Sequence, residues 1–285
     1  MLGLHATARE WFEDRDLYHK IGFLVAEGTR LSALVAEAKG TPRTAFHASL
    51  AERIREATGM TRAEAEDLRY TKPADLCPLA RLLLLMNVEA VRRLRDSSER
   101  YSFRAHKRQS WSLEHIHAQQ AERLSKKEQW QEWLRRHREA LAGPPPSVAR
   151  DALAARIDAA YDTIDRDQFD QLAAEVAAMF SAADGADGTT DWVHSLANLA
   201  LLSSGANSAL GNSVFEVKRR AVLDLDRAGA FIPICTRRVF LKYFTGADAQ
   251  QVHFWSPQDR GAYLDAMFNP TDGLLKDYMH AEAAK

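Results

Sequence analysis

The sequence predicts a mainly helical protein with one small strand–turn–helix element embedded in it. Three observations carry that prediction. Apolar residues recur at spacings of three and four through the first hundred residues, as in Trp11, Leu17, Ile21, Leu24 and Val25. The same period returns with Trp130, Trp133, Leu134, His137 and Leu141. Between and after these stretches lie two short runs of strand character, around Trp111–Leu113 and Asn198–Ser203.

The elements follow in order. Leu31, Leu34 and Val35 resume the helical pattern after a break at Gly28, and a segment from about Ala45 to Thr58 continues it and ends at Gly59. Thr61 followed by Glu64 is a capping-box pattern that opens a short helix. Asp75 is read as the cap of the long apolar helix that follows, with Leu79, Leu82, Leu83, Met86 and Val91 as core positions. Tyr101 and Phe103, then Trp111 and Leu113, alternate with polar neighbours and predict short strands on either side of 104–109. Gly143 and Pro144, Pro145 and Pro146 stop the Trp130–Leu141 helix and form a stiff connection. Two further helices are predicted, roughly 148–161 and 168–182, then a loop at 185–188. After the 198–203 strand come a turn at 205–211 and a helix from about Ser213 to Arg227. The tail from Pro233 to Tyr278 reads as helical, with Trp255-Ser256-Pro257 as a helix start.

Composition narrows the classes. A chain of 285 residues that is 46% apolar buries a substantial core, and its length predicts about two domains. With a formal net charge of -1, phosphate binding must come from local basic patches. Cys77 and Cys235 are the only cysteines and share no motif, which disfavours a disulfide framework or a cysteine zinc site and fits a reducing cytoplasm. The start shows no basic segment followed by an apolar run, and the 79–91 stretch is too short to span a bilayer. The expectation is a cytoplasmic protein without membrane contact.

Two distant segments carry chemistry. The first is Ser112-Leu113-Glu114-His115-Ile116-His117-Ala118-Gln119; the second is Ala197-Asn198-Leu199-Ala200-Leu201-Leu202, followed by Asn207, Asn212, Phe215 and Lys218. Hydrolysing a phosphodiester requires a base for the attacking water and a cation for the charge on the phosphate and leaving oxygen. A carboxylate and an amide oxygen suit a hard ion such as Mg²⁺. An imidazole next to that carboxylate on a strand points to the other face and is placed to act as base, provided that a neighbour fixes its tautomer. Lys218 lies within the apolar stripe of Val214, Phe215, Ala221, Val222 and Leu225, so its head must reach something polar; Arg219 lies off the stripe.

At these residues the chain resembles the HNH (His-Me finger) nuclease domain of GmrSD-type, modification-dependent anti-phage restriction endonucleases. Asp16-Leu17-Tyr18-His19-Lys20-Ile21-Gly22 and the 82–88 run resemble the linking region of its longer members. Phe231-Ile232-Pro233, Val239-Phe240-Leu241-Lys242 and Trp255-Ser256-Pro257-Gln258-Asp259 resemble the family's tail. The resemblance implies a small ββα-metal element and an endonuclease that uses Mg²⁺ or Mn²⁺ to nick or cleave DNA. It implies His115 as general base, Glu114 and Asn207 as metal ligands, Asn198 orienting His115, and Lys218 supporting the phosphate or the fold. Arg104, Lys107, Arg108, Asn212 and Arg219 complete the expected substrate-binding set. The implied layout is a helical linking domain over 1–95 and a nuclease domain over 96–285, with a helical insertion at about 126–183. Longer members carry an NTP-binding, ParB-like domain ahead of this region, and the resemblance implies as expectations a C-terminal part of such a protein or a separately encoded subunit. The chain departs from many HNH sites in having Glu114 for Asp and Ala118 for Pro, and in the length of the insertion.

Plainer readings stand beside these. An isolated Glu-His pair is usually filler, and Asn198 and Asn212 also suit turns and caps. His117 reads as a hydrogen-bonded strand-end residue or an additional ligand, His137 as a satisfied core histidine, and His194 as ambiguous. Arg92, Arg93, Arg95, Arg100, Arg104, Lys107 and Arg108 make the densest basic stretch, either a solvated helix face or a phosphate-binding surface. The competing functions are a DNA-binding or regulatory module with a decayed or partner-dependent site, and a ribonuclease.

Overall fold

In the computed structural model the described residues are 2–117, 124–142, 147–181, 191–205, 213–245 and 255–282. Helices dominate them, joined by one two-stranded antiparallel sheet. The predicted connections at 143–146, 185–188 and 206–211 lie outside the described residues, as do Asn207 and Asn212.

The N-terminal helices Leu2–Glu13, Arg15–Ala26, Leu31–Gly40 and Arg43–Thr58 begin and end where local chemistry dictates. Asp14 caps the second by accepting the Leu17 N–H at 3.0 Å. Gly59 ends the fourth in the left-handed region, φ 61°, which a glycine adopts without steric cost. Thr61 and Glu64 form the reciprocal capping box of Arg62–Glu66.

These helices surround Leu76–Arg92, which is buried almost all round from Leu79 to Val91. Such a helix is a core element rather than a surface one. Its polar residues are used as joints. Asn87 donates to the Leu83 carbonyl at 2.7 Å and accepts the Cys235 N–H at 2.7 Å, docking the Ile234–Phe240 helix. Glu89 holds Arg92 and accepts from the Tyr278 hydroxyl, which ties down the tail. Asp75 makes no cap hydrogen bond; it sits in a 3₁₀ turn, Pro73–Asp75, and accepts the Arg69 N–H at 2.8 Å.

The strand expected around Tyr101–Phe103 is instead the short helix Phe103–Arg108, with Ser102 as its N-cap. Tertiary packing overrides the local alternation: a Cβ on Gly22 would lie 2.1 Å from the Phe103 ring, so the glycine admits that ring against the helix Arg15–Ala26.

The strands β1, Trp111–His115, and β2, Leu199–Ser203, pair with Trp111 opposite Ser203 and His115 opposite Leu199. Ile116 N–H continues the pairing to the Asn198 carbonyl at 2.8 Å. Between the strands in sequence come Lys127–Leu141, Val148–Ala160 and Arg166–Ser181. These three helices pack a separate core of Trp133, Leu134, Leu153, Phe169, Val176 and Phe180, which Val214 and Val217 join from beyond β2. The main core unites the N-terminal helices, the sheet and the tail. After β2 the chain forms Phe215–Arg227, Ile234–Phe240 and Pro257–Phe268. Ser256 and Asp259 form the capping box that opens the last of these.

Candidate nuclease site

Consecutive strand residues point to opposite faces, so Glu114 and His115 at the end of β1 face different surroundings. Glu114, 6% exposed, meets the ammonium of Lys218, 1% exposed, in a buried ion pair 104 residues apart in sequence. Lys218 Nζ also donates to the main-chain carbonyl of His115 at 2.6 Å. That is the polar target its position in the apolar stripe demands. Burial pushes the Glu114 carboxyl above its usual range and the Lys218 ammonium below its own, and their mutual attraction opposes both shifts.

Two buried histidines support the start of the Lys218 helix. His137 Nε2 accepts the Val214 N–H at 3.2 Å and His117 Nδ1 accepts the Phe215 N–H at 3.4 Å. Helix N-termini leave such amides without intrahelical partners. Desolvation holds both imidazoles neutral, pushed down to about 3. His137 is therefore a core residue, its Nδ1 bonded to the Trp133 carbonyl at 2.7 Å. His117 Nε2 is buried and has no hydrogen-bond partner among the described residues.

Asn198 is fully buried and clamps the chain just past His115. Its Nδ2 donates to the His117 and Val193 carbonyls, each at 2.8 Å, and its Oδ1 accepts the His117 N–H at 3.0 Å. Its side chain thus grips the backbone after His115 rather than the imidazole itself. The tail secures β2: Trp255 Nε1 donates to the Ala197 carbonyl, Thr236 to Leu201 and Tyr263 to Leu199.

The imidazole of His115 lies on the half-exposed face. Its Nε2 is 3.1 Å from His194 Nδ1, and the edge-on ring of Tyr70 is 4.6 Å away, centroid to centroid. Tyr70 and His194 are brought in together, since the Tyr70 N–H donates to the His194 carbonyl at 2.8 Å and Arg69 forms a β-bridge with Ser195. In the sequence, His194 stands out only by its proximity to Asn198. Tyr70 gives no signal there, because its role arises from a long-range bridge with no local signature.

Arg104, Lys107 and Arg108 are exposed on the Phe103–Arg108 helix, at the opposite end of β1 from His115. By strand rise that end is roughly 13 Å away. Arg219 is mostly buried, 3.8 Å from Glu216, and its Nε is buried without a hydrogen-bond partner among the described residues. Arg92 and Arg93 are engaged with Glu89, and Arg100 packs over Phe12, so this part of the basic stretch serves the fold.

Among the described residues no three His, Cys, Asp or Glu side chains come together. Of the two expected metal ligands only Glu114 lies among the described residues, and its buried carboxylate already carries the Lys218 ammonium.

Residues 171–235 match the family described as GmrSD restriction endonucleases, C-terminal domain. The matched stretch includes Asn198, β2 and Lys218 and begins after Glu114 and His115, which β1–β2 pairing brings to it. No curated protein and no solved structure matches. Restriction endonucleases are nucleases that act on DNA, and no helix among the described residues is long and apolar enough to cross a membrane. The match supports a GmrSD-type restriction-endonuclease C-terminal region at these residues.

Proposed function

We propose that this chain is a divalent-metal-dependent HNH endonuclease acting on DNA, with the β1–β2 pair and the Phe215–Arg227 helix as its ββα element. One observation carries the reading: antiparallel pairing sets Glu114 and His115 opposite Ala200 and Leu199, beside Asn198, and Lys218 reaches Glu114 from the next helix, although a separately cored group of helices intervenes in sequence. Loop-closure cost rises slowly with length, so the insertion at about 126–183 is tolerated as long as the strands pair.

In this reading His115 takes the proton of the attacking water. Asn198 fixes the backbone behind it and Lys218 holds its carbonyl, so the ring enters the site from a rigid strand end. Glu114 and Asn207 are the residues that would hold Mg²⁺ or Mn²⁺. When bound, that ion neutralises charge on the scissile phosphate and the leaving oxygen. Residues 1–95 form the linking scaffold, 96–285 the nuclease domain, and a larger NTP-regulated assembly is the setting. Arg104, Lys107, Arg108, Asn212 and Arg219 serve the DNA backbone.

The Glu114–Lys218 pair favours a second reading, since the carboxylate already has a cation on it. In that case the site is decayed, or takes metal only beside a partner domain.

The test is nicking of supercoiled plasmid with Mg²⁺, Mn²⁺ or chelator, run in parallel on RNA. Metal-stimulated nicking of DNA supports the proposal; RNA cleavage alone redirects it to a ribonuclease. Salt-sensitive DNA binding without cleavage in any metal overturns it in favour of the regulatory module.

A further inference from the structure

Tyrosines packed in the main core spend their hydroxyls inside the fold. Tyr101 bonds His106 Nδ1 at 3.1 Å, Tyr263 donates to the Leu199 carbonyl at 3.2 Å, and Tyr278 donates to Glu89 at 3.1 Å. Tyr70 breaks this pattern. Its ring is partly buried against the same core, yet its hydroxyl has no hydrogen-bond partner among the described residues. Nor is that oxygen sealed from solvent. An O–H donor is thus held ready beside His115, whose ring centroid lies 4.6 Å from that of Tyr70.

We propose that the Tyr70 hydroxyl is a substrate-binding group, donating to a non-bridging oxygen of a phosphate that flanks the scissile one. This rests on the reading of the His115 face as the nuclease site. Tyrosine hydroxyls are among the ordinary donors to nucleic-acid phosphates, and such contacts set the register of the strand rather than its sequence.

The backbone around Tyr70 is fixed on both sides, so the hydroxyl is presented rather than left to wander. The Tyr70 N–H donates to the His194 carbonyl at 2.8 Å, and Arg69 bridges to Ser195. The Arg69 N–H donates to the Asp75 carboxylate at 2.8 Å, and the Lys72 N–H donates to the Arg69 carbonyl at 3.0 Å. The Arg69 guanidinium turns back onto the Glu66 and Leu68 carbonyls, at 2.7 and 3.0 Å. The ring of Tyr70 is braced edge-on by His115 and lies near-parallel to His194, at 16°. A neutral donor differs from a cation in one measurable way. It holds a phosphate without releasing a counterion, so its loss weakens binding and leaves the salt dependence as it was.

The test is binding of duplex DNA, in chelator so that nothing is cut, by wild type and Tyr70→Phe across a salt series. The variant keeps the ring and removes only the hydroxyl. Its Kd should rise roughly 10- to 100-fold, the range for losing a hydrogen bond to a charged group. The slope of log Kd against log salt should not change. The loss should be the same on AT-rich and GC-rich duplexes, as for a phosphate contact. The denaturation midpoint should also stay, because the hydroxyl leaves no partner unsatisfied in the fold. Equal binding by the two proteins, a loss confined to one base composition, a slope lower by about one unit, or a destabilised variant would each overturn the proposal. Metal-dependent nicking by wild type separates the two claims. If wild type binds and nicks DNA while Tyr70→Phe binds equally well, only the role of Tyr70 fails. If wild type neither binds nor nicks, the nuclease reading fails and takes this proposal with it.

Discussion

The two faces of β1 at its C-terminal end differ in almost every physical respect. On one, Glu114 and Lys218 form an ion pair sealed from solvent, with the neutral imidazoles of His117 and His137 capping the helix behind it. On the other, His115, His194 and Tyr70 are half-exposed and touch through ring edges and one imidazole contact. A buried ion pair is costly to desolvate and rarely adds net stability, but it punishes any arrangement that leaves one partner alone. The closed face therefore specifies where the strand end and the helix meet. The open face has the solvent access that chemistry requires.

The largest effect comes from breaking the closed face. Lys218→Met leaves Glu114 buried and uncompensated and should cost about 3–5 kcal/mol in chemical denaturation. The double variant Glu114→Leu/Lys218→Met should recover most of that loss, because no charge remains buried. A single variant as stable as the wild type would show that the pair is not structural.

Acid should act on the closed face next. His117 and His137 are neutral in the fold and held down to about 3 by burial, whereas unfolded histidine titrates near 6.5. A depressed histidine contributes stability that is complete above the unfolded value and lost as pH falls below it. From pH 7 to pH 5 each should cost about 2 kcal/mol. Denaturant midpoints across that range measure it, and His137→Phe should flatten the slope by about one proton. A slope unchanged by that substitution would place the acid sensitivity elsewhere.

The smallest change in stability is expected at the basic helix. Replacing Arg104, Lys107 and Arg108 by alanine should shift stability by under about 0.5 kcal/mol each, since all three are exposed. DNA affinity should nevertheless fall, and the salt dependence should weaken by about one unit for each phosphate that is no longer neutralised. An unchanged salt dependence would remove this helix from the DNA path and make it a solvated face.

What is legible in the sequence divides along the same line. Periodicity locates the helices, the second strand and the buried face of Leu76–Arg92, and the stripe around Lys218 announces that its head has a buried polar partner. Local chemistry also announces the Thr61 and Ser256 caps. The Phe103–Arg108 helix reads locally as strand because its form depends on the notch at Gly22, and the cap expected at Asp75 gives way to a hydrogen bond with Arg69. On the open face, motif spacing points to His115, but Tyr70 and His194 meet through the Arg69–Ser195 bridge, which leaves no period to find. Asn198 stands out in the sequence as a candidate, whereas its grip on the His117 backbone follows only from the fold.

The most direct measurement is single-turnover nicking of supercoiled plasmid in Mg²⁺ by wild type and His115→Ala. His115 bears on the half-exposed face rather than the core, so folding of the two should be alike. The account predicts a loss of about 10²- to 10⁴-fold, the range for removal of a general base. Equal cutting by the two proteins would contradict it.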